Sequence, residues 1–471
     1  MFRNASIAVL LTLSAACSAR AADKPNIIYL MLDEWGYYEW SAMGHPVIET
    51  PNIDRVAAEG MRFTQFLAGG NVCAPTRCTM MTGQHTGHCP VRDNFPRVHL
   101  HPDDVTIAEM LKQAGYAVGG FGKWGIGDRG TTGAPEKQGF DVFFGYYNQN
   151  HAHSYYPAFL VRNSEKVPLA GNTGSAKEGK TYSQDLIFRA SIDFITKNAE
   201  SGRPFFAYLP WTPPHGNFEI PADEPAWQKY KDLDLDGPPA SRVYGAMVEM
   251  DDRQLGEILD VLKKTGIDNR TILFVSGDNG GNLYFADKEH PDGIYRPNVD
   301  PRTGQRFRGH KGNFYEGGLR VPFLVRWPGH VQAGTVSDHL GYFPDVLPTL
   351  AELVGVDPPK DVDGISILPT LLGKGEQKEH DYLYWENSKS TAVRIGNWKA
   401  VRPSKKAAFE LYDLGQDIEE LHDVAADHPD IIAKVEADAQ EAHHPARPGL
   451  VLNPEALWET ERTKLEKEKA K

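Results

Sequence analysis

The sequence predicts an α/β fold: a large mixed, mostly parallel sheet sandwiched by helices, with a smaller C-terminal antiparallel sheet plus helix. Three observations carry this expectation. Continuous apolar runs recur along the chain, helical patterns stand between them, and from about Asp381 the texture changes to short alternating runs.

Asn26–Leu32 (NIIYLML) has no polar alternation and is rich in β-branched and aromatic residues, which suits a strand buried on both faces. It runs into the acids Asp33 and Glu34. Comparable runs at 117–121, 205–209, 271–275 and 321–325 alternate with helical patterns near 52–58, 105–113, 184–198 and 242–263. Strands alternating with helices give a mostly parallel sheet, and ligands of such sheets sit beyond the carboxyl ends of the strands. Residues directly after a strand, Asp33-Glu34 and Asp278-Asn279, are therefore candidates for a site. The segments YLYW, TAVRI, NWKAV and ELYDL, followed by a helical stretch near 429–442, form the expected second unit. The expected division is 1–22 signal peptide, 23–380 catalytic domain, 381–445 C-terminal subdomain and 446–471 a charged tail.

The 471 residues carry a formal net charge of −13. Such a chain repels polyanions in general, so nucleic acid is not an expected partner, and an anionic substrate must be met by a few local cations. At the N-terminus Arg3, an apolar run at 7–13 and Ala19-Arg20-Ala21 form the pattern of a cleaved secretory signal, so periplasmic or secreted export is expected. Cys17 leaves a lipoprotein alternative open, although Ser14 stands where a lipobox favours Leu. No later apolar run reaches the roughly twenty residues that span a bilayer. Cleavage leaves Cys73, Cys78 and Cys89, an odd number, so one is unpaired or modified, and a Cys78–Cys89 bridge is open.

Cys73-Ala74-Pro75-Thr76-Arg77, continuing to Thr82-Gly83, places a cysteine at a loop-to-helix junction with an arginine one turn on. A thiol there is expected to have a lowered pKa. This C-x-P-x-R segment resembles the signature of the type I sulfatases, arylsulfatase-like enzymes of the alkaline phosphatase superfamily. The resemblance implies that Cys73 is converted by a formylglycine-generating maturation enzyme to formylglycine (3-oxoalanine), whose hydrate attacks sulfur. Other segments follow in the family's order. Pro25-Asn26-Ile27-Ile28 running into Asp33-Glu34 is similar to the first metal strand, and Thr50-Pro51-Asn52-Ile53-Asp54 to the helix after it. Gly122-Lys123-Trp124 and Pro214-His215 are similar to the G-K-W and P-H blocks. Gly277-Asp278-Asn279-Gly280 and Gly309-His310-Lys311-Gly312 are similar to the second metal strand and the lysine block.

The resemblance implies one Ca²⁺ held by Asp33, Glu34, Asp278 and Asn279 together with the derivative of Cys73. Oxygen ligands of that kind suit a hard cation better than zinc. Lys123 and Lys311 would balance the sulfate charge, Arg77 would orient the nucleophile, and His215 would protonate the departing alcohol. Asp278 could accept the proton of the attacking hydroxyl. Taken alone, each acid is as readily a turn residue and each lysine a solvated one.

Two positions depart from the family pattern. Glu34 stands where a second Asp is usual, and Gly125 stands where the G-K-W block usually continues with a histidine that serves sulfate release. His151, His153 or His310 could supply an imidazole instead. The expected activity is hydrolysis of a sulfate monoester, with a sulfated carbohydrate as substrate because the aromatic segment 146–156 could stack on sugar rings, and with aryl sulfates as artificial substrates. A phosphate or phosphonate ester hydrolase of the same fold, or an inactive glycan-binding homologue, are the competing readings.

Overall fold

The computed structural model describes residues 24–94, 98–174, 179–447 and residue 455. The expected signal peptide with Cys17, and nearly all of the expected tail, lie outside the described residues.

The strands in chain order are β1 (Asn26–Leu32), β2 (Met61–Phe63), β3 (Phe66–Leu67), β4 (Ala117–Lys123), β5 (Val142–Tyr146), β6 (Phe159–Arg162), β7 (Glu165–Pro168) and β8 (Phe205–Trp211). They continue as β9 (Thr271–Gly277), β10 (Phe323–Arg326), β11 (Thr335–Ser337), β12 (Gly341–Tyr342), β13 (Leu383–Glu386), β14 (Thr391–Ile395), β15 (Trp398–Arg402) and β16 (Glu410–Asp413). Ten of them form one sheet in the order β11-β2-β10-β9-β1-β8-β4-β5-β6-β7. Its centre, β9-β1-β8-β4-β5, is parallel, and antiparallel strands flank it, β10 on one side and β6 on the other.

The absence of polar alternation in β1 has a direct structural counterpart. Ile27, Tyr29 and Met31 enter one core, with Cys78, Met81, Leu111 and Leu350 of the helices Cys73–Thr82, Ile107–Gln113 and Val346–Val354. Ile28, Leu30 and Leu32 enter another, with Val56, Ile187 and Leu259 of the helices Pro51–Ala58, Ser183–Ser201 and Pro239–Lys264. Period-two side chains on a sheet covered on both faces must all be apolar, so no alternation survives.

β3 and β12 pair in parallel as a two-stranded sheet, and a third sheet, β13-β14-β15-β16, is antiparallel throughout. Here alternation reappears as two apolar faces with different partners. Leu383, Trp385 and Val401 pack on Leu67, Leu319 and Tyr342, while Tyr384, Val393 and Ala400 pack under the helix Pro429–Ala442. Lys399 of β15 is fully buried, with its ammonium 2.7 Å from Glu316 and 3.2 Å from Glu420. No helix among the described residues is long and apolar enough to cross a membrane.

Candidate active site

The parallel neighbours β9, β1, β8 and β4 end on one side of the sheet, and the polar cluster lies beyond those ends. Leu32 is in register with Gly277 on one side and Trp211 on the other. Asp33 and Asp278 therefore leave the sheet side by side, and the Asp278 amide donates to the Leu32 carbonyl at 3.1 Å. β4 delivers Lys123 to the same edge. Gly122, at φ +138°, makes this possible, because a Cβ there would stand 2.1 Å from the Pro210 carbonyl oxygen of β8.

Cys73 is the first residue of its helix, and the Ala74 amide is satisfied by Asn94 Oδ1 at 2.9 Å. Arg77, four residues on, lies on the same helix face. His215 follows β8 in a loop held by its amide to the Thr212 carbonyl at 3.0 Å and by the Tyr155 hydroxyl to the His215 carbonyl at 2.7 Å. Lys311 comes from the loop between β9 and the short helix Glu316–Leu319, where its amide donates to the Gly281 carbonyl at 3.2 Å.

These side chains meet. Cys73 Sγ is 3.3 Å from Asp33 Oδ1, and Lys123 Nζ is 2.5 Å from Asp33 Oδ2. Arg77 donates to Asp278 Oδ2 at 3.0 Å and to the Lys123 carbonyl at 2.7 Å, and lies 3.4 Å from Asp33. Glu34 takes a left-handed backbone conformation, φ 64°, unusual for a residue with a side chain. Its amide donates to Asp278 Oδ1 at 3.0 Å, and its carboxylate meets Lys311, Tyr284, Asn282 and His215, whose Nε2 is 2.9 Å from Oε1. Asn279 Nδ2 donates to the Gly280 carbonyl, and its Oδ1 is buried with no donor among the described residues.

Asp33, Glu34, Asp278, Arg77 and Lys123 are fully buried, so charges are balanced locally or not at all. Burial disfavours the Asp33 carboxylate, but Lys123, His215 and Arg77 outweigh it and hold its pKa well below the usual carboxylate range. Asp278 goes the other way: burial and the adjacent Asp33 charge push it up to about 7 against Arg77. Burial opposes the Lys123 ammonium, yet Asp33 keeps its pKa raised. For Cys73 the structure reverses the expectation. Burial first, and the Asp33 carboxylate second, push the thiol well above its ordinary value despite Lys123 and Arg77. A sulfur sealed against a carboxylate is a poor thiolate, whatever stands at the helix start.

Asp33, Glu34, Cys73 and His215 offer ligand atoms within 4.8 Å of one another, and Asp278 adjoins them through the Glu34 amide. Cys73, Cys78 and Cys89 are free thiols. Of the three histidines considered in place of Gly125, His153 reaches the cluster, its ring lying on His215 with centroids 4.1 Å apart and planes 11° apart. His151 packs between Tyr146 and Phe159. The His310 amide donates to Asn313 in the Lys311 loop. Asn282 and Tyr284 were not apparent from the sequence, whereas Tyr155, which holds the His215 carbonyl, lies in the segment 146–156 singled out there. Asn282 and Tyr284 lie just beyond Asp278-Asn279, the one signal that could have drawn attention to them.

A cluster of buried acids, cations and an imidazole around a helix-start cysteine, beyond the ends of parallel strands, suits a hydrolase of anionic esters. A sequence profile of the family described as Sulfatase matches residues 25–356, and one described as N-sulphoglucosamine sulphohydrolase, C-terminal, matches 309–443. The N-acetylgalactosamine-6-sulfatase of Mus musculus is 32% identical over 439 residues, covering 87% of this chain and 78% of its own. Arylsulfatase A of Bos taurus is 30% identical over 416 residues, covering 83% and 77%. The crystal structure of Ps i-CgsB, also solved in complex with k-i-k-neocarrahexaose, superposes with a TM-score of 0.74 at 25% identity, covering 89% of this chain and 92% of that one. The chain belongs to the sulfatase family, enzymes that hydrolyse sulfate esters.

Proposed function

We propose that the chain is an exported, calcium-dependent sulfatase that removes sulfate from a sulfated carbohydrate, using formylglycine made from Cys73. The observation that carries this reading is the setting of Cys73: on the first turn of its helix, 3.3 Å from Asp33, among Arg77, Lys123, Asp278 and His215, where burial and the Asp33 carboxylate oppose a thiolate. Conversion removes that obstacle, because a hydrated aldehyde brings two hydroxyls to the position of the thiol. The partners of this reading are a maturation enzyme acting on Cys73 and a sulfated glycan or small molecule. Residues 23–380 would form the catalytic unit and 381–445 its companion.

Each residue then has a task. Lys123 and Lys311 take up the negative charge of the sulfate, and Arg77 holds Asp33 and Asp278 so that two carboxylates can stand together. His215 donates a proton to the ester oxygen as the alcohol leaves, and Asp278 accepts the proton of the attacking hydroxyl. The sum is R–O–SO₃⁻ plus water giving R–OH and hydrogen sulfate. Asp33, Glu34, Asp278 and Asn279 supply oxygen atoms only, and the unpartnered Asn279 Oδ1 is the donor such a set would turn to a cation. With Cys73 converted no thiolate remains, and the set suits calcium rather than zinc. When bound, calcium would polarise the sulfate oxygens.

Mass spectrometry of the Cys73 peptide, with sulfate release from aryl and sugar sulfates and matched phosphate esters, tests the reading. Formylglycine at Cys73 and preference for sulfate support it. An unconverted cysteine in the natural host, or preference for phosphate, overturns it. A chelator is expected to lower the unfolding midpoint and calcium, rather than zinc, to restore it; an unchanged midpoint removes the metal from the proposal.

A further inference from the structure

Position 125 carries no side chain, and another residue stands over it. Gly125 sits at φ +81°, two residues beyond Lys123. A Cβ built there would lie 2.3 Å from Gln149 Nε2 and 3.0 Å from Gln149 Cδ. The carboxamide of Gln149 thus takes the space that any side chain at 125 would enter. Both its nitrogen and its oxygen are shut off from solvent, and neither has a hydrogen-bond partner among the described residues. An apolar side chain would fill the same space without the desolvation cost of an unpaired amide, so an amide retained there points to a ligand that completes it.

The surrounding backbone is fastened to the catalytic edge. The Trp124 amide donates to the Tyr146 carbonyl at 2.8 Å and the Gly125 amide to the Tyr147 carbonyl at 3.1 Å. The Ala152 amide donates to the Gln149 carbonyl at 3.2 Å, closing the turn that leads into His153. That ring lies on His215, and its Nε2 is likewise buried without a partner. One short loop therefore carries two buried, unsatisfied polar groups, one over Gly125, two residues beyond Lys123, and one against His215.

We propose that Gln149 is a substrate-contact residue that recognises a hydroxyl on a carbon next to the sulfate ester. Its Nε2 donates to that hydroxyl and its Oε1 accepts from it or from its neighbour. A carboxamide presents a donor and an acceptor side by side, which complements a hydroxyl pair and gives an ammonium or carboxylate no equivalent. This rests on the reading of the substrate as a sulfated carbohydrate, since an aryl sulfate has no such hydroxyl.

The test compares wild type with Gln149→Leu, which fills the same volume, and Gln149→Ala, all matched for formylglycine content. Their substrates are 4-nitrophenyl sulfate and a panel of monosaccharide sulfates. The expected result is that kcat/KM for the sugar sulfate divided by kcat/KM for the aryl sulfate falls at least tenfold, chiefly through KM. Gly125→Ala, which drives a methyl group into the carboxamide, should lower the same ratio. An equal fall on both substrates, or an unchanged ratio in Gln149→Leu, overturns the assignment of Gln149 while leaving the sulfatase reading intact. Wild-type turnover of the aryl sulfate with none on the sugar panel overturns the carbohydrate reading and this proposal with it.

Discussion

Arg77 Nη2 holds Asp278 Oδ2 at 3.0 Å in a place where neither side chain meets solvent, while its other terminal nitrogen binds the Lys123 carbonyl at 2.7 Å. One planar guanidinium thus ties the ends of β9 and β4 to the helix that begins with Cys73. A lysine has the charge but not the fork. Arg77→Lys is expected to keep the fold and lose at least a hundredfold in kcat. Arg77→Ala leaves the buried Asp278 without its cation, Asp33 keeping Lys123, and should cost about 3–5 kcal/mol of stability. Turnover and chemical denaturation of the two variants check this; equal stability of Arg77→Ala and wild type would remove Arg77 from the electrostatic account.

Lys399 plays a similar part away from the chemistry. Its ammonium neutralises Glu316, whose pKa is held low, burial opposing and Lys399 foremost among the cations that overcome it. Because Glu316 opens the helix after the Lys311 loop, β15 supports the catalytic edge through this contact. Lys399→Met should cost about 3–5 kcal/mol by stranding Glu420, since Glu316 keeps Arg320 at 2.6 Å. Denaturation checks the stability, and recovery in Lys399→Met/Glu420→Gln would show that the stranded charge is the cause.

The central strands and the acids after them were legible because a sheet covered on both faces leaves unbroken apolar runs, and the chain turns polar where they end. β1 was expected over 26–32 and found there, and the C-terminal sheet followed its alternating segments. Short edge strands such as Glu165–Pro168 were missed, since four mixed residues carry no periodicity. The raised Cys73 pKa was also missed, because local sequence reveals a helix start and an arginine but not burial against Asp33. Tyr284 reaches the site from a loop whose path depends on the whole fold, and no spacing announces it.

His380 and Asp345 provide a pH dependence of stability. His380 Nε2 lies 2.8 Å from the buried Asp345 carboxylate; burial opposes its charge, but Asp345 prevails and raises its pKa. A histidine raised on folding adds stability that is fully present below its unfolded value of about 6.5 and fades as pH rises through the folded value. The stability difference between wild type and His380→Asn should therefore be largest in mild acid and shrink above neutrality. Denaturation from pH 5.5 to 9 measures it; a difference independent of pH would mean that the pair acts through packing alone.

The stacking of His153 on His215 bears on which way the proposed acid faces. His215 Nδ1 is engaged with the Gly216 carbonyl, so Nε2 is the atom turned toward Glu34 and Lys311. His153 covers one face of the ring, and Asn217 Nδ2 binds the His153 carbonyl at 2.9 Å, linking the two loops. Burial, with Lys123 adding to it, pushes His153 down to about 2, so it lies against His215 as a neutral plate and adds no charge of its own. If its task is to hold His215 in place, another flat ring should serve. His153→Phe is expected to retain most of kcat and His153→Ala to lose about tenfold or more, since general acid catalysis contributes about 10²–10⁴ and depends on placement. The loss should be greater for a sugar sulfate, whose alkoxide needs the proton, than for 4-nitrophenyl sulfate, whose phenolate leaves without one. Equal activity of the Phe and Ala variants on the sugar would show that the plate does not position His215.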